Sequence, residues 1–256
     1  MSTPVEALLS GIFFALTSWL PMNPEGRWVS SLVKDYPSFL VPAYLGVTFA
    51  VMFHYRERFS TLSLRAMRGI YEAELKYLFF ATLFTVLIGF PLLKCSTGIT
   101  GKESAIVNIL IGTLIVLLAL NMPKRNPLKE LDKKLPEQPS ILDALSGGVL
   151  QGFALLEGVT RTGIVTLGLL LPGHSGRKAL EWGFLISPAY FVLRLIWLGN
   201  WESSGPSWIP FLAFLSAFLT TLLLISLLEK LAERWEKPFL IAFGLIAIAY
   251  ALGVMM

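Results

Sequence analysis

Six long apolar runs are the feature that most constrains the fold of this chain. A helix needs about 20 mostly apolar residues to cross the hydrocarbon core of a membrane. Of the 256 residues, 55% are hydrophobic and only 15% are charged, with a mean hydropathy of +0.67. We therefore expect an all-α integral membrane protein, not a soluble enzyme or a nucleic-acid-binding protein. The six runs lie at about 38–54, 77–93, 104–123, 180–198, 207–228 and 238–256.

Two further apolar segments are interrupted in the middle. Residues 5–33 contain PMNPEG, and residues 141–172 contain EGVTRTG. Helix-breaking Pro and Gly, together with charges at membrane depth, indicate two short half-helices that meet at a polar tip, which is a re-entrant hairpin. A kinked but complete span is the alternative for each segment.

The basic residues predict the orientation of the spans. If segment 141–172 enters the membrane and returns on the same side, fifteen of the 21 Lys and Arg residues fall on one side. That side should be cytoplasmic, because cytoplasmic loops carry an excess of Lys and Arg. We therefore expect a multi-pass protein of the plasma membrane with both termini outside. The net charge of +4 then reflects this topology and requires no nucleic-acid partner.

The two broken segments also resemble each other. Shifted by 137 positions, VEALLSGIFFALTSWLPMNPEG aligns with LDALSGGVLQGFALLEGVTRTG, and Gly11 then matches Gly148. Each copy is followed by three predicted spans, so the second copy starts from the opposite side of the membrane. This is the inverted-repeat plan of many transporters. It predicts a single membrane domain with repeat 1 at about 1–123, a linker at 124–140 and repeat 2 at about 141–256.

Two motifs carry a family resemblance. QGFALLEGVTRTG followed by LGLLLPGHSGRKALEWGFLISPAY resembles the second signature of the undecaprenyl-diphosphate phosphatase family, the bacitracin-resistance type. FALTSWLPMNPEG resembles its first signature, and its Trp and Glu-Gly ending are similar to archaeal members. The resemblance covers nearly the whole chain. It implies removal of the terminal phosphate of a polyprenyl diphosphate at the outer membrane face, which regenerates a monophosphate lipid carrier for the cell envelope.

The resemblance also assigns positions. Arg161 matches the essential arginine of the family, and Thr160 and Thr162 replace the two serines beside it. Other positions depart from the pattern. Phe14 and Ser18 stand where the family has its two glutamates. In the first signature, Asn23 and Pro24 replace the paired serines and Arg27 replaces a histidine of bacterial members.

The remaining polar residues suit phosphate binding. A guanidinium presents a planar fork that matches two phosphate oxygens, which makes Arg161 and Arg27 candidate ligands. Backbone N–H groups at the half-helix N-termini and the hydroxyls of Thr160 and Thr162 would complete an anion cradle. Asn23 is expected to line the same cleft.

Hydrolysis also requires groups that activate water and stabilise the leaving oxygen. Glu25 and Glu157, one in each broken segment, are the carboxylates that could replace the missing pair, so we take Arg161, Glu157 and Glu25 as candidate catalytic residues. A purely structural role is the alternative. In that case Glu157 pairs with Arg161 one helical turn away, and Glu25 pairs with Arg27 or with interfacial water.

Two functions stay open at this stage. One is a polyprenyl-diphosphate phosphatase with a rearranged site, and the other is a non-catalytic protein that binds or transports a polyprenyl phosphate. The expected partners are the membrane, a polyprenyl diphosphate or phosphate lipid, and a second copy of the chain in a homodimer, with no nucleic acid. The family resemblance implies a divalent cation, Mg²⁺ or Ca²⁺, although the sequence presents no evident metal site. Arg194 is expected to snorkel or to pack against the helix bundle, with guidance of the lipid phosphate as the alternative.

The topology gives a testable prediction. In a variant whose single Cys95 has been replaced, a cysteine introduced at Asn126 should resist labelling by an impermeant reagent added outside. The reason is that Asn126 lies in a predicted cytoplasmic loop rich in Lys and Arg. Strong labelling from outside would contradict this topology.

Overall fold

The computed structural model describes residues 3–25, 27–33, 35–95, 101–122, 138–156, 158–199 and 208–255. Within these ranges the chain forms helices joined by turns and contains no strand, so the all-α prediction is confirmed. Glu157, the side chain of Arg27 and most of the predicted linker lie outside the described part. We number the helices α1 (Pro4–Trp19), α2 (Arg27–Leu32), α3 (Leu40–His54), α4 (Arg56–Met67), α5 (Ala73–Cys95), α6 (Gly101–Asn121), α7 (Ile141–Phe153), α8 (Arg161–Leu170), α9 (Gly176–Leu185), α10 (Ser187–Leu198), α11 (Trp208–Arg234) and α12 (Glu236–Met255).

The long helices lie where the apolar runs predict them. Among the described residues, five segments are long and apolar enough to cross a membrane, and α9 with α10 forms a sixth when the pair is counted as one span. A 3₁₀ turn at Tyr36–Phe39 extends the first of them. The helices α1, α7 and α8, with 16, 13 and 10 residues, are apolar but shorter. The five segments are Tyr36–His54, Ala73–Lys94, Gly101–Asn121, Trp208–Arg234 and Glu236–Met255.

The run predicted as one span at 180–198 is broken. The axes of α9 and α10 differ by 41°. Pro188 lies in the first turn of α10 and has no N–H to donate to the carbonyl of Phe184, four residues earlier. The hydroxyl of Ser187 donates to that carbonyl instead, at 2.6 Å. The local sequence thus breaks the helix and also satisfies the acceptor that the break releases.

The predicted loop 55–76 contains the additional helix α4. Its Arg58 forms ion pairs with Glu74 of α5 and Glu181 of α9, so three elements are connected at this end of the bundle. Burial lowers the pKa of Arg58, but the two carboxylates offset this effect and raise it above its usual value. At least one basic residue of this loop therefore has a structural role. A prediction of topology from the number of basic residues does not reveal this role.

The helices pack as pairs from distant parts of the chain. α1 packs along α11, α7 along α5 and α6 along α12, while α3 contacts both α10 and α11. α6 and α12 approach most closely where Gly112 faces Gly244. A methyl group on Gly112 would lie 2.5 Å from the Gly244 carbonyl oxygen, and one on Gly244 would lie 2.6 Å from the Gly112 carbonyl oxygen. Small residues at such crossings let helices associate in lipid, where no hydrophobic force drives them together.

This crossing predicts opposite effects for two glycine substitutions. Gly112→Ala should destabilise the protein by roughly 1–3 kcal/mol, because the added methyl forces two backbones apart. Gly253→Ala in α12 should be neutral or stabilising, because nothing lies within 4 Å of its added methyl and Ala favours helix. Thermal unfolding of the two variants in the same detergent tests this, and equal melting temperatures would contradict the close crossing.

Candidate functional site

The two broken segments each contain a turn between two helices. In the first, α1 ends at Trp19, and the turn formed by residues 20–25 carries Pro21 and Pro24, which cannot continue a helix. In the second, α7 ends at Phe153 and α8 begins at Arg161. Gly158 in that second turn has a φ of 88°, a conformation that other residues rarely adopt.

The end of α1 meets the start of α8 directly. The hydroxyl of Thr162 donates a hydrogen bond of 2.6 Å to the carbonyl of Ser18, and Arg161 donates to the same carbonyl at 3.4 Å. The carbonyls of a last helical turn have no partner within the helix. The first turn of α8 therefore supplies donors to the last turn of α1, and the two broken segments come together at this point.

Arg161 is buried at this junction, with 4% of its surface exposed. Its guanidinium donates to Thr162 Oγ1 at 3.0 Å and to the Gly183 carbonyl at 3.4 Å. Aromatic rings cover it, with centroids 4.9 Å away for Trp19 and 5.1 Å away for Phe191. No described carboxylate lies within 4 Å of it, and its predicted partner Glu157 is outside the described residues. Within the described part, the charge is thus stabilised by ring faces and carbonyls.

Glu25 has partners that differ from those expected. It accepts a hydrogen bond from the hydroxyl of Tyr44, and its other carboxylate oxygen lies 3.5 Å from a guanidinium nitrogen of Arg194. Pairing with Arg27 was one of the structural alternatives, but the structure describes only the backbone of that residue. Arg194 does not snorkel but is packed in the helix bundle, with 6% of its surface exposed, and it faces this carboxylate.

The other predicted ligands occupy different positions around the junction. Asn23 accepts a hydrogen bond from the backbone N–H of Glu25 at 2.9 Å, so its side chain shapes the first turn. Thr162 is engaged with Ser18, whereas the buried hydroxyl of Thr160 has no hydrogen-bond partner among the residues that the structure describes. Arg27 begins α2 immediately after the first turn. Thr160 and Arg161 therefore remain the described candidates with unused donor capacity.

Asn108 of α6 is a site residue that sequence reasoning missed. Its amide nitrogen donates to the Gly158 carbonyl at 2.8 Å, and its amide oxygen accepts from the backbone N–H of Thr160 at 3.0 Å. Both bonds hold the second turn against α6. The available signal was an amide side chain inside an otherwise apolar run, which is costly in a membrane and marks a specific role.

The two positions at which the resemblance implies glutamates are buried in this chain, and neither carries a carboxylate. Phe14 is fully buried and packs edge-to-face on Tyr44 with ring centroids 4.5 Å apart. Ser18 is buried, and no described residue forms a hydrogen bond with its hydroxyl. An apolar ring and a hydroxyl cannot carry the acid and base chemistry of two carboxylates, so any such chemistry must come from elsewhere in the site.

The site as described fits an anion. Buried polar groups are nearly always hydrogen-bonded, yet four buried atoms here have no partner among the described residues. Arg161 and Arg194 also bring two positive charges against the single described carboxylate of Glu25. This donor set does not fit a resident divalent cation, which prefers several free oxygen ligands. The four atoms are Ser18 Oγ, Thr160 Oγ1, Arg161 Nε and Arg194 Nε.

The Asn108 contacts predict that alanine substitutions at two asparagines of α6 will have very different effects on the stability of the protein. Asn108→Ala leaves a buried carbonyl and a buried N–H unpaired, at a cost of roughly 1–3 kcal/mol for each group. Asn121→Ala removes only an exposed bond to the Leu117 carbonyl in the same helix and should change little. Thermal unfolding in detergent measures both, and a small effect of Asn108→Ala would show that the second turn does not depend on α6.

Comparison with known proteins identifies the family. The model of the family described as bacitracin resistance protein BacA matches residues 7–253. An undecaprenyl-diphosphatase of Methanothrix thermoacetophila is 29% identical, with 96% of each chain covered. One of Methanococcoides burtonii is 26% identical over 95% of this chain and 96% of its own, and one of Dechloromonas aromatica is 27% identical over 96% and 93%. The chain belongs to the bacitracin resistance protein BacA family.

Proposed function

We propose that this membrane protein is a polyprenyl-diphosphate phosphatase, which releases the terminal phosphate and regenerates a monophosphate lipid carrier. The observation that carries the proposal is the buried Arg161, which has spare donor capacity and no described carboxylate beside it. Family membership and the relatives named undecaprenyl-diphosphatase support the same substrate class. A diphosphate lipid also suits a site between apolar helices, because its tail can remain in the membrane.

The reaction requires an attacking water, a stabilised phosphoryl group and a leaving group. Water attacks the terminal phosphorus, the bond from this phosphorus to the bridging oxygen breaks, and the lipid monophosphate leaves with the electron pair. Arg161 would neutralise the charge on the transferred group through its planar fork. Thr160 and the free N–H groups at the start of α8 would donate to the same oxygens.

A carboxylate must accept the proton of the attacking water. Glu25 is the described carboxylate of the site, and Tyr44 and Arg194 hold its two oxygens. We assign it the role of base in this proposal, with Glu157 as the second candidate. Arg27 and Asn23 are proposed to contact the phosphate or the lipid near the first turn. The family's divalent cation is assigned no step, because the described donors do not fit one.

A second function, binding or transport of a polyprenyl phosphate without hydrolysis, is favoured by one specific observation. Phe14 and Ser18 replace the two glutamates of the family, and Phe14 is packed on Tyr44. An anion cradle without an effective base would still bind the lipid phosphate. The two functions share the site and differ only in whether phosphate is released.

An inverted repeat of two re-entrant hairpins is part of the proposal. α1 and α7 both begin with a capping box, in which the first and fourth residues of the motif each accept a hydrogen bond from the backbone N–H of the other. The two boxes begin at Thr3 and Ser140, which lie 137 positions apart. Gly11 and Gly148, also 137 apart, are both in tight contact, with α11 and α5 respectively. Since α5 and α11 are equivalent helices of the two repeats, the matching contacts support the inverted repeat at about 1–123 and 141–256.

The proposed membrane and the proposed orientation of the protein in it follow from the predicted topology. The protein is placed in the plasma membrane with both termini outside, because the basic loops are expected inside. The site would then be reached from the lipid or from the outer face. A homodimer is also proposed, and the molecular mass of the detergent-solubilised protein would test it.

Phosphate release tests the proposed function. The purified protein should release inorganic phosphate from a polyprenyl diphosphate, and Arg161→Ala should abolish this because it removes the fork that neutralises the transferred phosphoryl group. Arg161→Lys should also be poorly tolerated, because an ammonium is a point charge. Arg68→Gln, which removes an exposed charge of the predicted cytoplasmic loop, is the matched control and should be fully active.

The outcomes separate the two functions. Wild-type protein that binds the lipid phosphate but releases none supports the non-catalytic alternative, and absence of both binding and release rejects both functions. In an active protein, loss of release in Glu157→Gln with an intact fold assigns that residue to catalysis. Chelation by EDTA in the same assay tests the divalent cation.

A further inference from the structure

Arg194 is a buried cation that the family signatures do not account for. It lies on α10, has 6% of its surface exposed, and faces Glu25 with a nitrogen–oxygen distance of 3.5 Å. Within the described part of the chain, its Nε has no hydrogen-bond partner. A charged side chain inside a span is rare unless it is paired or serves a function. The contacts of Arg194 therefore indicate whether its ion pair alone explains why this charge is buried.

The ion pair with Glu25 is weaker than a structural pair should be. Hydrogen bonds between an arginine and a carboxylate usually measure 2.7–2.9 Å and are often bidentate. Here the distance is 3.5 Å, and the hydroxyl of Tyr44 also donates to Glu25. A guanidinium has five N–H donors, so most of the capacity of Arg194 is not used by this carboxylate.

Tyr190 connects Arg194 with Arg161. It lies one helical turn before Arg194 on α10, so the two side chains are neighbours on one face of that helix. The guanidinium of Arg161 lies 5.8 Å from the centroid of the Tyr190 ring. The two arginines therefore approach the same tyrosine, from α8 and α10, and each has an Nε without a partner.

A diphosphate is an anion with two charged groups, and this site has two buried cations. We propose that Arg194 binds one phosphate group of the diphosphate while Arg161 binds the other. This inference rests on the proposed function. A monophosphate would engage one arginine only, so the pair distinguishes the diphosphate lipid from the monophosphate. Glu25 is the counter-charge of Arg194 in the empty site and competes with the incoming phosphate for it.

Binding of two probes tests the role of Arg194. Farnesyl methylenediphosphonate, a diphosphate that resists hydrolysis, and farnesyl phosphate are titrated calorimetrically into the full chain in detergent. Arg194→Gln should weaken binding of the diphosphonate by about tenfold or more, because charge-assisted bonds are lost, and should change binding of farnesyl phosphate by less than about threefold. Arg68→Gln is the matched control and should change neither. Any other pattern for Arg194→Gln, including an equal loss for both probes, overturns the inference.

Two further variants keep the test valid if Arg194→Gln does not fold. Glu25→Gln should strengthen binding of the diphosphonate, because Arg194 loses its competing counter-charge, and weaker binding would contradict the inference. Arg194→Lys should bind the diphosphonate less well than wild type, because it keeps the charge but lacks the fork; unchanged binding would also contradict it. Failure of wild-type protein to bind either probe rejects the proposed function. Binding that requires Arg161 but not Arg194 rejects only this inference.

Discussion

The rest of the site depends on the hydrogen bond from the Thr162 hydroxyl to the Ser18 carbonyl. α1 ends in the interior of the protein, where Ser18 is buried, and an unpaired carbonyl there would cost several kcal/mol. The first residues of α8 remove this cost by donating to that carbonyl. Because the same turn of α8 carries Arg161, satisfying a helix end also fixes the position of the cation. Asn108 stabilises the second turn in the same way, because it forms hydrogen bonds with the carbonyl of Gly158 and the N–H of Thr160.

Burial of a guanidinium without a described carboxylate needs a further explanation. The rings of Trp19, Tyr190 and Phe191 present their faces to Arg161 at 4.9 to 5.8 Å. Cation–π attraction is larger when the pair is desolvated, which is the condition here. Phe14, in the place of a glutamate, adds to this aromatic environment through its contact with Tyr44. An aromatic enclosure stabilises the charge and leaves its hydrogen-bond donors available, whereas a paired carboxylate would occupy them.

Much of the fold was predictable from the sequence because the membrane imposes a length and a polarity on every span. The apolar runs therefore predicted the long helices, with ends differing by a few residues. The bend between α9 and α10 was not predicted, since an apolar run looks the same whether it is straight or broken, although Pro188 was the local signal. The partners of Glu25 were also missed. Hydropathy indicates that Arg194 lies within a span but not which face of α10 carries it, and only the packing of α3 and α10 brings Tyr44 and Arg194 to one carboxylate.

The close crossing of α6 and α12 has a consequence for how the chain is held together. Separating these helices would expose surface that lipid covers as well as protein does, so their association relies on fit instead of on the release of water. Dispersion attraction falls steeply with distance, and a gap of about 0.5–1 Å already forfeits a quarter to a half of it. At Gly112 and Gly244 the two backbones therefore either hold one register or lose a substantial part of their attraction. The crossing thus joins a helix from the middle of the chain to its last helix, and its strength depends on shape more than on the amount of apolar surface.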